Sequence, residues 1–156
     1  MKKTIPNTPI GTISIICHKE DLIRLSFDNG LEDETNDTPI LNSVATQIEE
    51  YFSKKREVFN VPLSLIGTDL QLTVWRELQS VPYGSTISYS DFAAQLKLPH
   101  AVRAVANAIA KNPIPVVIPC HRVCGKNGNI QGYIGGISRK KWLLDLEAGQ
   151  QSLFDV

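Results

Sequence analysis

Apolar and polar residues alternate over positions 10–16 and again over 22–27, the two-residue period of half-buried strands. Lys19-Glu20-Asp21 supplies a turn between them, so these runs predict a β-hairpin. The acidic stretch 29–38 reads as a loop. The period then changes, because Ile40, Leu41, Val44, Ile48, Tyr51 and Phe52 recur at helical spacing. Residues 53–68 read as a linker with one short strand or turn around 58–65. Thr68 and Gln71 have capping-box spacing ahead of Leu72, Trp75 and Leu78, which predicts a helix that Pro82 and Gly84 terminate. A short helix follows over 90–96, with Phe92, Ala93 and Leu96 inward. Lys97-Leu98-Pro99 is a tight turn, and Pro99 suits the first position of a further helix running to about Lys111. Val102, Val105, Ala106 and Ile109 form its apolar stripe, leaving Arg103 and Asn107 outside. Two short helices joined this way fit a helix-turn-helix, although an ordinary core pair produces the same pattern more often.

Pro113, Pro115 and Pro119 then forbid a helix and predict a stiff, extended run into Cys120. Lys126-Asn127-Gly128 is a turn signal, and Gly132, Gly135 and Gly136 make a permissive loop. Ser138 is placed to cap a last helix over 139–147, with Trp142, Leu143 and Leu146 inward. The fold class expected is α/β of the α+β kind. A small N-terminal hairpin-plus-helix scaffold domain, 1–68, precedes a mainly helical domain, 69–156, that carries the chemistry.

A length of 156 residues admits one medium domain or two small ones. No apolar run approaches the roughly 20 residues of a membrane span. The start, Met-Lys-Lys-Thr-Ile-Pro, has basic residues without an apolar stretch behind them, so a signal peptide is not expected. A cytoplasmic, non-membrane protein is the expectation. Three cysteines (Cys17, Cys120 and Cys124) are too few for a disulfide framework and suit reduced, reactive thiols. The net charge of zero at first disfavours a nucleic-acid partner. Its distribution does not. Residues 1–70 carry seven Lys/Arg against eleven Asp/Glu, a net −4, whereas 71–150 carry nine against four, a net +5. Such an asymmetry orients a protein in the field of a polyanion, and it also arises by chance.

Chemistry concentrates at Cys120. A thiolate is the nucleophile, and a nearby imidazole is the usual means of producing it. In an extended chain His121 points away from Cys120, so it would act through a water or after a backbone turn. Glu147 or Asp145 could reach back from the last helix to orient the ring. Taken alone, the Cys-His pair fits a buried structural cysteine at least as well. A zinc site from Cys120, His121 and Cys124 matches no common ligand spacing.

The run Ile118-Pro119-Cys120-His121-Arg122-Val123 resembles the active-site signature of the O6-alkylguanine-DNA alkyltransferases. Further landmarks fall in the family's order between about Leu72 and Glu147. They are Ile87-Ser88-Tyr89, Arg103-Ala104-Val105, Asn112-Pro113, Gly132-Tyr133 with Gly135-Gly136, and Trp142-Leu143-Leu144 through Glu147. A tetrapeptide match would be weak; six landmarks in order are strong.

The resemblance implies direct reversal of DNA damage. An alkyl group would pass irreversibly from O6-alkylguanine, and from O4-alkylthymine, to Cys120, once per molecule and with no cofactor or metal. His121, through water, would deprotonate Cys120, with Glu147 orienting the imidazole and Asn112 bracing the cysteine's turn. Tyr89 would hydrogen-bond the guanine as it leaves. The carbonyls of Cys120 and Val123 would accept from the guanine amino group, and the Ile134 amide would face O6. Pro115, Tyr133 and Gly135 would complete the pocket. Arg103 would intercalate where the nucleotide is flipped out, with Ala104 and Asn107 on the same DNA-facing helix in the minor groove. The implied partner is double-stranded DNA, bound by a monomer. Ala106, where many members have glycine, and Ile134, where some have smaller or polar residues, would narrow the pocket. Non-catalytic relatives carry tryptophan at the position of Cys120. A multiple-turnover thiol hydrolase and a sequence-specific helix-turn-helix regulator remain the contrasting classes.

Overall fold

The computed structural model describes residues 1–27, 35–130 and 132–149, which divide into two compact units, Met1–Leu65 and Ile66–Val156. In the first, β1 (Lys2–Thr8), β2 (Gly11–His18) and β3 (Asp21–Phe27) form an antiparallel sheet in the order β1-β2-β3. The expected hairpin is the β2–β3 pair, turning at Lys19 with φ of 54°. β1 escaped the pattern because Lys2-Lys3-Thr4 reads as polar and Pro6 as a breaker. At the sheet edge both are tolerated, and Ile5 alone is buried deeply.

Helix α1 (Pro39–Phe52) packs on β1 and β2 through Leu41, Val44, Ile48 and Tyr51, and the Thr38 hydroxyl caps it by accepting from Leu41 N. Most of the predicted loop over 29–38 lies outside the described residues; 35–38 is irregular. The segment after α1 belongs to this unit. Buried Gln47 clasps Asn60 twice, donating to its carbonyl at 3.0 Å and accepting from its amide at 2.8 Å. Leu22 N donates to Pro62 O, and Ser64 N to Leu22 O, which lays 62–64 beside β3.

The second unit begins with α2 (Asp69–Leu78), whose capping box is complete. Thr68 N donates to Gln71 Oε1 at 3.0 Å, and Gln71 N donates to Thr68 Oγ1 at 3.1 Å. The Trp75 indole donates to Ala108 O at 2.9 Å, tying α2 to α4 (Val102–Ala110). β4 (Ile87–Ser88) pairs in parallel with β5 (Val123–Cys124), and α3 (Tyr89–Gln95) follows it with Ser88 as cap. α3 and α4 pack as the helix-turn-helix pair.

Three local expectations are corrected. Pro99 is not at a helix start, because Ala101 N bonds to Leu98 O and Pro99 stiffens that turn instead. Ala108, not Ala106, completes the buried stripe of α4 with Val105 and Ile109. α5 (Ile137–Glu147) starts two residues earlier than expected. Gly136, with φ of 92°, stands at its cap, so Ser138 lies inside the helix. Leu143 and Leu146 are buried as expected, Trp142 only half so.

Candidate active site

Asn112 leaves the end of α4 fully buried, and both ends of its amide are engaged. Oδ1 accepts from Ile114 N and Nδ2 donates to Ile118 O, each at 2.9 Å. Ile118 N returns to Ile114 O, closing a turn with Val116 at φ of 74°. The proline run is therefore not extended. The prolines exclude a helix, but the Asn112 side chain supplies substitute partners that let the chain fold back on itself. Positive φ is a strained setting for a β-branched residue, and it sits four residues from the thiol.

The turn delivers Cys120 into a single 3₁₀ turn, Cys120–Arg122. That turn, rather than strand alternation, sets the direction of His121. Its Nε2 meets Glu147 Oε2 at 2.7 Å, with both side chains buried. Arg122 forks onto the same carboxylate, Nε to Oε1 at 2.8 Å and Nη2 to Oε2 at 2.9 Å, while Nη1 donates to Val81 O. Asp145 instead pairs with Lys141 on the surface.

The electrostatics follow from this geometry. Although burial alone would raise it, the Glu147 carboxyl is held down at about 2 by its hydrogen bonds and charge interactions with His121 and Arg122. Burial pushes the His121 pKa down, against the pull of Glu147, so a neutral imidazole is favoured. In that state Nε2–H donates to Glu147 and Nδ1 is left as a base. Nδ1 is buried and has no hydrogen-bond partner among the described residues. Burial pushes the Cys120 thiol up to about 11, with Asn112 and Lys140 working against the rise.

Cys120 is 4% exposed and forms part of the wall of a cavity of about 690 Å³. Tyr89, Arg103, Asn107, Tyr133 and Ile134 share that lining, joined by Val102, Ala106 and Ile109 from α4. Pro115, Val123 and Gly135 are buried outside it, and Ala104 is exposed on α4. Burial raises the pKa of the Tyr89 phenol, and that of Tyr133 further, keeping both as proton donors. Among the described residues no group of three or more His, Cys, Asp or Glu could hold a metal, and no helix is long and apolar enough to cross a membrane.

Two contributors escaped the sequence reading. Arg122 and Lys140 look like surface charges in a sequence, yet both are buried. The available signal was position: Arg122 lies inside the Ile118–Val123 run, two residues after Cys120, and Lys140 lies seven residues before Glu147, two turns along one helix face.

A helix-turn-helix in the same unit as buried Cys120, His121 and Glu147 fits the class of DNA-binding proteins that carry a free thiol beside the DNA-facing helix. Residues 69–149 match the model of the 6-O-methylguanine DNA methyltransferase DNA-binding domain, and 1–65 match the ribonuclease-like domain of the same enzymes. The chain belongs to the 6-O-methylguanine DNA methyltransferase family. The inducible methylated-DNA–protein-cysteine methyltransferase of Bacillus subtilis is 47% identical over 133 residues, covering 85% of this chain and 73% of that protein. The constitutive enzyme of the same organism is 39% identical over 155 residues, covering 92% and 93%. The crystal structure of Mycobacterium tuberculosis OGT in complex with DNA matches with a TM-score of 0.87 at 39% identity, covering 96% of this chain and 93% of that one.

Proposed function

We propose that this chain reverses O6-alkylguanine damage in DNA by moving the alkyl group onto Cys120, once per molecule. The observation that carries the assignment to Cys120 is its position in the wall of the α4 cavity, next in sequence to a His121 clamped by Glu147. With the thiol at about 11, free thiolate is scarce at neutral pH, so proton removal accompanies attack. His121 Nδ1 takes the proton through one solvent molecule, and ionised Glu147 stabilises the imidazolium that forms. Sulfur attacks the alkyl carbon, the carbon–O6 bond breaks, and its electron pair stays on the base. The balance closes when the thiol proton ends at guanine N1, restoring the normal tautomer. Tyr89 donates to the leaving base, and Asn112 keeps the Cys120 turn in place. The thioether product has no good leaving group, which ends the cycle.

O6 is shielded inside the duplex, so the nucleotide is flipped from the minor groove into the cavity. Arg103, exposed on α4 at the cavity rim, fills the gap, with Ala104 and Asn107 on the same helix. The Cys120 and Val123 carbonyls and the Ile134 amide read the base edge, while Pro115, Tyr133 and Gly135 shape the pocket. The protein works as a cytoplasmic monomer, and O4-alkylthymine is a second substrate.

The test is intact mass after incubation with a duplex oligonucleotide carrying O6-methylguanine, followed by peptide mapping. One added methyl, on Cys120 and never exceeding one per chain, is expected. An unchanged mass with an intact lesion and a folded protein would overturn the reading.

A further inference from the structure

The mouth of the Cys120 cavity is bordered by two different kinds of surface. Of the residues that line the cavity, Arg103, Asn107 and Ala110 on α4 and Gly132 and Ile134 on the loop before α5 are also exposed, so these mark its mouth. The α4 side is polar and carries a cation, whereas the loop side is apolar. Ile134 is 52% exposed there, and Ile137, three residues on at the start of α5, is 57% exposed. Single exposed aliphatic side chains are ordinary on a protein surface. Of the five large apolar side chains exposed among the described residues, these two alone lie within four residues of each other. The turn that carries them is held in shape. Gly136 N donates to Tyr133 O at 2.9 Å, the Arg139 guanidinium donates to Gly135 O at 2.8 Å, and Gly135 is buried. On the outer side, a Cβ built on Gly132 or Gly136 would meet no atom beyond its chain neighbours within 4 Å. An apolar tip that is exposed, ordered and bordered by open space loses little entropy when a partner covers it.

Taking the alkyl-transfer reading as given, we propose that Ile134 and Ile137 form an apolar lip that packs on the deoxyribose face of the lesion-bearing strand beside the flipped nucleotide. A nucleotide entering the cavity passes through this mouth, so its own sugar and that of its neighbour come against the side chains that border it. Phosphate oxygens are met by cations and N–H donors. The carbon–hydrogen face of the sugar is the part of the strand that an isoleucine covers without stripping a polar group of its hydrogen bonds. Arg103 and Asn107 supply the polar contacts from α4, and the loop supplies the apolar one. The lip therefore adds affinity that salt does not screen, and adds it once the nucleotide has left the stack.

The test is equilibrium binding, by fluorescence anisotropy, to a duplex carrying one O6-methylguanine, in a Cys120→Ser background so that the lesion survives. Ile137→Ser is expected to weaken binding about fivefold, and Ile134→Ser with Ile137→Ser about tenfold or more, as fits covering about half of each side chain. Ile137→Leu, which keeps the apolar bulk, should bind like the parent. Plotted as log affinity against log salt, the serine variants should run parallel to the parent, since no phosphate contact has been removed. On an undamaged duplex their loss should be smaller, about twofold at most. Both side chains are exposed, so neither change opens the core. No loss, an equal loss on both duplexes, or a shallower salt slope would overturn the proposal. So would a dimer of the parent protein without DNA, seen by sedimentation and abolished by Ile137→Ser, which would make the lip a contact between copies. Binding is read without methyl transfer, so failure of the transfer reaction itself appears separately in the mass experiment.

Discussion

Glu147 shows how one side chain serves chemistry and stability together. Its carboxylate accepts from two cationic or potentially cationic partners while nearly dry, and it survives there because Arg122 brings a matched fork. The consequence is a dependence on pH whose sign can be worked out. Glu147 titrates near 2 in the fold against an ordinary 4.5, so its stabilisation is complete above 4.5 and lost as pH falls through 2. That difference corresponds to about 3 kcal/mol. His121 is held below its ordinary 6.5, so the unfolded chain takes its proton more readily and stability begins to decline below 6.5. Cys120 works in the other direction. Raised from 9.0 to about 11, its contribution is full below 9.0 and disappears as pH rises through 11. Denaturation midpoints should therefore hold level between about 6.5 and 9 and fall on either side. Glu147→Gln should flatten the most acidic part of that curve; an unaltered acid limb would remove Glu147 from the account. Cys120 and His121 stood out in the sequence because a thiol and an imidazole are neighbours in it, and the structure sets the first in the cavity wall and the second against Glu147. The depth of Arg122 and Lys140 was not, since hydrophobic patterning treats every charge as solvated.

Among the elements, helices with strong end signals were read well and irregular backbone poorly. The Thr68–Gln71 box announced α2 because both halves of its hydrogen bonding are local. The turn over 114–118 was read as extended because its cause is a side chain, Asn112, that bonds across six residues. β1 was missed because an edge strand need bury only one deep side chain. α4 joins the two kinds of information. Its inward stripe is a matter of periodicity, but only the structure puts Arg103 beside the Cys120 cavity. Arg103→Ala is expected to slow repair in duplex DNA at least tenfold while leaving reaction with a free O6-alkylguanine base almost unchanged. Equal losses on the two substrates, measured as second-order rates of Cys120 alkylation, would exclude a part in nucleotide flipping.

For the molecule as a whole, charge is divided by sequence where shape alone would say little. The −4 of residues 1–70, the +5 of 71–150 and the single acid Asp155 give a neutral chain whose DNA-binding half is basic. Duplex affinity should accordingly fall on the order of tenfold or more between about 50 and 200 mM salt, as counterions are no longer released at a profit in entropy. A salt-insensitive affinity would indicate that phosphate contacts contribute little. The burial of Cys120 also has a meaning at this scale. A reagent that can be spent only once must keep until it is needed, among glutathione, oxidants and stray electrophiles that consume exposed thiolates. A thiol that is 4% exposed and protonated at neutral pH is slow with all of them. Its shelf life, more than its intrinsic nucleophilicity, sets how many lesions a given stock of the protein can answer.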